Sequence, residues 1–160
     1  MSAILSTRVV AIAVAVACAP VFAQEQSYEI KVCSATEVTV IDRAGETTIL
    51  ASVARGIADS VKPGGAFDKT TFECRGVTNT SKTGLDYNSR CTFVDADGDR
   101  VVGATAGHAK GWNWKFLGGT GKWEGIQGGG TGKSIGAYPR LSPSVSAGCG
   151  LATGTYSFQK

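Results

Sequence analysis

The chain is poorest in side chains that titrate near neutrality. It has a single histidine, His108, and a hydrolytic triad working at neutral pH would have to use it as its base. The setting Gly107-His108-Ala109-Lys110-Gly111 reads as an exposed turn, so a solvated histidine is expected rather than a catalytic one. With one histidine and no C-x-x-C spacing, the ligand pattern of a zinc site is missing and no metal is expected. Clustered charge is missing too. Beyond residue 23 there are 15 basic and 13 acidic side chains, scattered along the chain, which leaves electrostatic capture of nucleic acid or of a membrane surface little to act through. The longest apolar run, Val9 to Val16, falls short of the roughly 20 residues a spanning helix needs and is followed by Pro20, Gln24 and Glu25. Sustained helical spacing is absent after that run.

What is present begins with an export signal. Arg8 precedes the short apolar run, and Val21-Phe22-Ala23 places small or β-branched residues where a signal peptidase reads. Residues 1–23 are therefore expected to be a cleaved signal peptide and residues 24–160 one domain, periplasmic or secreted, with no stable membrane insertion after cleavage. Cys18 lacks the large aliphatic neighbour of a lipidation site, where Ala15 stands, and falls outside the expected domain.

Four cysteines remain: Cys33, Cys74, Cys91 and Cys149. An even number in an exported chain reads as two disulfides. Phe72, Cys74 and Gly76 share one face of a predicted strand, and Ser89, Cys91 and Phe93 one face of the next. A hairpin turning through Ser81 to Gly84 then sets Cys74 opposite Cys91, within disulfide reach. Cys33 to Cys149 follows by elimination and joins the first strand to the last.

Short alternating or β-branched runs recur between glycine-rich breaks, the pattern of a sandwich or barrel. Strands are expected near 27–33, 36–42, 46–56, 67–78, 86–95, 99–106, 111–117, 122–127, 131–138 and 149–158. Asp97-Gly98 supplies a positive-φ pair for a tight hairpin, and the stretch from Tyr138 to Gly148, with Pro139 and Pro143, reads as the longest irregular connection. Gly118-Gly119-Thr120-Gly121-Lys122 recurs as Gly129-Gly130-Thr131-Gly132-Lys133, and both copies are read as bends or bulges at the corner of a closed sheet.

Several motifs fail on inspection. A phosphate loop ending at Lys133-Ser134 would need glycine where Gln127 stands, and Pro139 stops any useful helix after it. Asp95, Asp97 and Asp99 resemble a calcium loop, but Gly98 is fourth rather than sixth and Ala106 replaces the terminal glutamate. The aromatic segment carries more information. Trp112, Trp114 and Phe116 alternate on one face and Trp123 follows, a stripe that either fills a barrel or lines a pocket in it. Of the polar residues able to serve such a pocket, Tyr87, Glu73 and Tyr138 are the first candidates.

At Cys91-Thr92-Phe93-Val94-Asp95-Ala96-Asp97-Gly98-Asp99, then Phe116-Leu117-Gly118-Gly119-Thr120-Gly121-Lys122-Trp123-Glu124-Gly125-Ile126 and Gly128-Gly129-Gly130-Thr131, the chain resembles bacterial exported proteins of the allene oxide cyclase-like barrel superfamily. Plant allene oxide cyclases and dirigent proteins are its better-known members. The resemblance implies an all-β fold, a closed antiparallel β-barrel of about eight strands around an apolar cavity. It also implies work without metal or nucleotide cofactor, by holding a reactive molecule in a productive conformation. The acidic and tyrosine positions that act in the plant enzymes have no match here, so no catalytic residue is assigned. Many plant members are trimers or dimers, which admits an oligomer, whereas the two disulfides suit a braced monomer.

The reading that follows is an exported barrel that binds a small apolar molecule, lipid-like or aromatic, with Trp112, Trp114, Phe116 and Trp123 as pocket walls. Its rivals are a cofactor-free isomerase or cyclase, which needs a buried acid or tyrosine, and a structural or interaction module with a filled barrel.

Overall fold

The computed structural model describes residues 24–140 and 142–159. The expected signal peptide and Cys18 lie outside the described residues. Eight strands follow one another: β1 Gln26–Ala44, β2 Thr47–Ser60, β3 Thr70–Ser81, β4 Gly84–Val94, β5 Arg100–His108, β6 Gly111–Gly119, β7 Ile126–Ala137 and β8 Val145–Phe158. Each pairs antiparallel with its neighbours, and β8 returns to β1, so the sheet closes into a barrel. Closure removes the two open edges that an eight-stranded sheet would otherwise expose. No helix among the described residues is long and apolar enough to cross a membrane.

The side-chain alternation of each strand decides what the barrel contains. Tyr28 and Ile30 of β1, Phe93 of β4, Trp114 and Phe116 of β6, and Ala152 and Tyr156 of β8 are buried, while the residues between them face outward. These buried residues gather toward one end. There the β2–β3 connection folds Phe67 into the barrel mouth and closes it, stacked on Trp123 with ring centroids 4.8 Å apart. The opposite end carries the β1–β2, β3–β4, β5–β6 and β7–β8 connections.

Several expected boundaries are corrected. The strands expected at 27–33 and 36–42 are one, β1, because no glycine or proline separates them and a register shift between Val40 and Asp42 takes up the irregularity. The strand expected at 122–127 is not formed. Gly121 and Gly125 take positive φ (56° and 74°) and turn the chain through a 3-10 segment, Gly121–Trp123, before β7. β3 starts at Thr70 rather than 67, since Phe67 and Lys69 sit at φ 62° and 51° in the closing loop. The irregular stretch after Tyr138 is shorter than expected, with β8 beginning at Val145. In the β4–β5 turn Gly98 has positive φ (87°) and Asp97 does not, so the connection is a longer loop than the expected two-residue turn.

Both disulfides form as the strand pattern predicts. Cys74 is opposed to Cys91 across β3 and β4, and Cys33 to Cys149 across β1 and β8, with Cα separations of 4.0 and 4.1 Å. They lie on opposite faces of the sheet. Cys91 is 2% exposed inside the barrel, whereas Cys33 and Cys149 flank inward-facing neighbours and so sit on the outer wall. The loops they close span 17 and 116 residues, and the chain-entropy relation assigns about 3 kcal/mol to the shorter and about 4–5 kcal/mol to the longer. Replacing Cys33 and Cys149 by serine is therefore expected to lower the urea midpoint more than replacing Cys74 and Cys91, as followed by tryptophan fluorescence under denaturant.

Candidate functional site

The two halves of the barrel interior differ in chemistry. Toward the closed end aromatic rings dominate the inner surface, set among Ile30, Val101 and Ile126. Trp114 meets Phe116 with ring centroids at 4.5 Å and Phe93 at 5.3 Å, and Phe93 meets Phe72 at 5.2 Å. Offset and edge-to-face pairs of this kind add about 0.5–1.5 kcal/mol each beyond burial. Trp114, Phe116 and Trp123, expected as pocket walls, thus pack against one another and against Phe67.

Glycines on β7 and β8 make room for two further rings. Gly130 and Gly154 oppose each other across the strands, and a Cβ on either would overlap the Tyr28 hydroxyl, which donates to the Gly129 carbonyl at 2.9 Å. Gly132 and Gly150 do the same for Trp112, whose six-membered ring would collide with a Cβ on either residue. The second glycine repeat is therefore not the bulge expected from sequence but an in-register wall thin enough for rings to lie against, and the β7 register shift comes after it, between Ser134 and Gly136. At the first copy the expectation holds: Leu117, directly before Gly118, is extra in β6 opposite Val102 and Gly103.

Toward the open end the inward positions carry hydroxyls and small side chains. Thr78 donates to Ser52 at 3.3 Å, and the Thr105 hydroxyl sits 3.4 Å from Cys91 Sγ, so the inner disulfide marks the boundary between the two halves. Tyr87 alternates inward with Cys91 and Phe93 and is half-buried. Burial raises its phenol above the ordinary value, and among the described residues its hydroxyl makes no hydrogen bond. Trp112 is the other aromatic side chain here, half-buried over Gly132 and Gly150.

Two of the polar candidates stand elsewhere. Glu73 faces outward because its neighbour Cys74 faces in. Its carboxylate is held between Arg75 Nε at 2.6 Å and Arg55 Nε at 2.7 Å, and the Arg75 bond foremost keeps it below the usual carboxylate range. Tyr138 is exposed past the end of β7, its hydroxyl 3.8 Å from Cys149 Sγ. It borders a shallow outer groove of about 330 Å³ with Cys33, Ile57 and Cys149, and Glu73 borders a second of about 470 Å³ with Arg55, Thr92 and Arg100. His108 is exposed at the end of β5, where its Nδ1 accepts the Lys110 amide at 3.3 Å.

The closed end is pinned by Asp95, a residue whose local sequence marks it as part of the β4–β5 turn. The Asp95 side chain is 6% exposed and accepts from Trp123 Nε1 at 2.8 Å, Lys122 Nζ at 2.9 Å, and the amides of Asp97 and Asp99 at 2.9 and 3.0 Å. Burial alone would raise its carboxyl, but these donors outweigh it and hold it below its usual value. Bonds to Asp97 and then Asp95 push Lys122 up to about 12.

No family model matches the chain, and no curated protein matches it in sequence. Solved structures do match in fold. The pterocarpan synthase dirigent protein GePTS1 superposes with a TM-score of 0.54 at 10% identity, over 86% of this chain and 94% of that one. The pterocarpan synthase dirigent protein PsPTS1 does so with a TM-score of 0.52 at 12% identity, over 86% and 97%. The chain thus has a dirigent-like barrel.

Because the Asp95 carboxyl is held low in the folded protein, the stability it contributes is complete above its unfolded value of about 3.9 and is lost as pH falls through the lower folded value. Glu73, held below its ordinary value foremost by Arg75, contributes in the same direction. Asp95→Asn is expected to cost about 1–3 kcal/mol at pH 7 and to flatten, without abolishing, the fall in melting temperature between pH 5 and pH 2. A melting curve for the variant parallel to wild type across that range would refute the role given to Asp95.

Proposed function

We propose that the protein is an exported binding barrel that holds a small, uncharged, ring-bearing molecule in its open half, stacked on Trp112 and hydrogen-bonded by Tyr87. The observation that carries this reading is the Tyr87 phenol, inward, partly desolvated and without a partner among the described residues. At the open end this hydroxyl is within reach of solvent, and the oxygen of an entering ligand would take the place of water as its acceptor. The nearby wall is uncharged and rich in hydroxyls, which favours a neutral ligand over an ion. Trp112 offers a broad apolar face beside it.

Export is supported by the two disulfides, which persist in oxidising compartments, and by the leader pattern of residues 1–23. The fold likeness to pterocarpan synthase dirigent proteins is in keeping with a barrel that handles small ring compounds. A cyclase of the allene oxide cyclase type would require a buried acid or tyrosine; Glu73 and Tyr138 face solvent, which leaves Tyr87 alone, with no acid beside it, to serve such chemistry. Binding is accordingly the leading function and catalysis the secondary one.

Titration with 2-naphthol, followed by calorimetry, tests the open half. Tyr87→Phe is expected to weaken binding about tenfold, the worth of one hydrogen bond of about 1.4 kcal/mol, and Trp112→Ala to weaken it further. Equal affinity in all three proteins would place any binding outside this half and sink the proposal. Native mass spectrometry of protein from its own host should also show a co-purifying neutral small molecule.

A further inference from the structure

Phe67 differs from the rest of the aromatic core. The other buried rings rise from strands or from the 3-10 turn, while Phe67 is inserted by the loop between β2 and β3. It is 2% exposed, yet its backbone stands at φ 62°, a conformation bulky residues avoid, and Lys69 follows at 51°. Asp68 fastens the loop from between them, accepting the Ser60 amide at 3.2 Å and the Gly64 amide at 3.1 Å. Strain of this kind persists only where the surroundings hold it, and it gathers at ligand clamps.

What surrounds the Phe67 ring is a complete aromatic cage. Trp123 stacks on it at 4.8 Å with 6° between planes, Phe116 lies at 5.6 Å, and Tyr28, Trp114 and Tyr156 present edges at 5.3, 5.9 and 6.2 Å. The cage also holds a poorly satisfied polar group. Trp114 Nε1 is fully buried and meets no acceptor at full hydrogen-bonding geometry; its polar neighbour, the Tyr28 hydroxyl, donates to the Gly129 carbonyl and offers the indole only a poorly aligned lone pair. Phenylalanine supplies the ring that such a cage binds and lacks the acceptor that its indole N–H requires.

We infer that the closed end is a second binding site, occupied in this structure by Phe67 as an internal stand-in for ligand. Its ligand is a planar aromatic ring carrying a hydrogen-bond acceptor, seated between Trp123 and Phe116 with the acceptor on Trp114 Nε1, and it enters when loop 61–69 lifts Phe67 out. This site is at the other end of the barrel from Tyr87 and rests on different residues, so it stands or falls apart from the open-half reading.

Acetophenone and ethylbenzene, nearly identical in shape and differing in one acceptor, are the probes. Removing the stand-in by Phe67→Ala is expected to tighten acetophenone binding by about tenfold or more over wild type, because the site no longer waits on loop opening. In that variant acetophenone should bind about tenfold more tightly than ethylbenzene, a preference lost on adding Trp114→Phe and retained on adding Tyr87→Phe. In wild type, saturating acetophenone should speed tryptic cleavage after Lys69 while leaving cleavage after Lys82 unchanged. Unaltered cleavage after Lys69 at saturation, or equal affinity of wild type and Phe67→Ala, would show Phe67 to be an ordinary core residue. Should Phe67→Ala not fold, the wild-type cleavage experiment decides alone.

Discussion

Everything inside this protein is sized by the closure of β1 onto β8. An eight-stranded antiparallel sheet rolled shut leaves an interior just wide enough for side chains, and among the described residues ten aromatic rings compete for it: Tyr28, Phe67, Phe72, Phe93, Trp112, Trp114, Phe116, Trp123, Tyr156 and Phe158. They fit because one stretch of wall is nearly without side chains. Gly130, Gly132, Gly150 and Gly154 bring the β7 and β8 backbones against the rings of Tyr28 and Trp112, so glycine in this sheet serves volume rather than flexibility. The pairing of β1 with β8 from Gln26 opposite Tyr156 to Glu37 opposite Val145 sets that wall beside Tyr28.

The barrel is consequently asymmetric along its axis. One end is dry, filled and latched from outside by Asp95 and Lys122 and from above by Phe67. The other is lined by hydroxyls and keeps Tyr87 and Trp112 half-accessible. One disulfide braces each face of the sheet, Cys74–Cys91 at the waist of the interior and Cys33–Cys149 across the closing seam. A rigid, filled end supporting an open, polar one is the division of labour expected of a binding barrel, in which positional precision at the site derives from packing beneath it.

Much of this was legible in the residues. The cysteine pairing followed from strand alternation alone, because Cys74 and Cys91 fall equidistant from a turn. The aromatic stripe of Trp112, Trp114 and Phe116 was found by its period of two. The same alternation, applied one residue further, would have turned Glu73 outward as soon as Cys74 was placed within. Trp123 reads as a strand residue because the positive-φ glycines on either side of it, Gly121 and Gly125, look in sequence like the other glycines of the repeat. Phe67 was out of reach: after Lys62-Pro63-Gly64-Gly65 it reads as the start of a strand, and only tertiary stacking on Trp123 and Phe116 stabilises its left-handed backbone. Asp95 was visible as a turn residue, but its bond to the Trp123 indole joins positions 28 residues apart and leaves no local pattern.

The closing seam admits a direct test by hydrogen exchange resolved at single amides of β1. From Ile30 to Glu37 this strand is paired on both sides, to β2 and to β8, so successive amides point to opposite neighbours and all should exchange with the slowest class in the protein. If instead every second amide of that stretch exchanged as fast as those of the loops, β1 would be a free edge, the sheet would be open, and the interior described here would not exist.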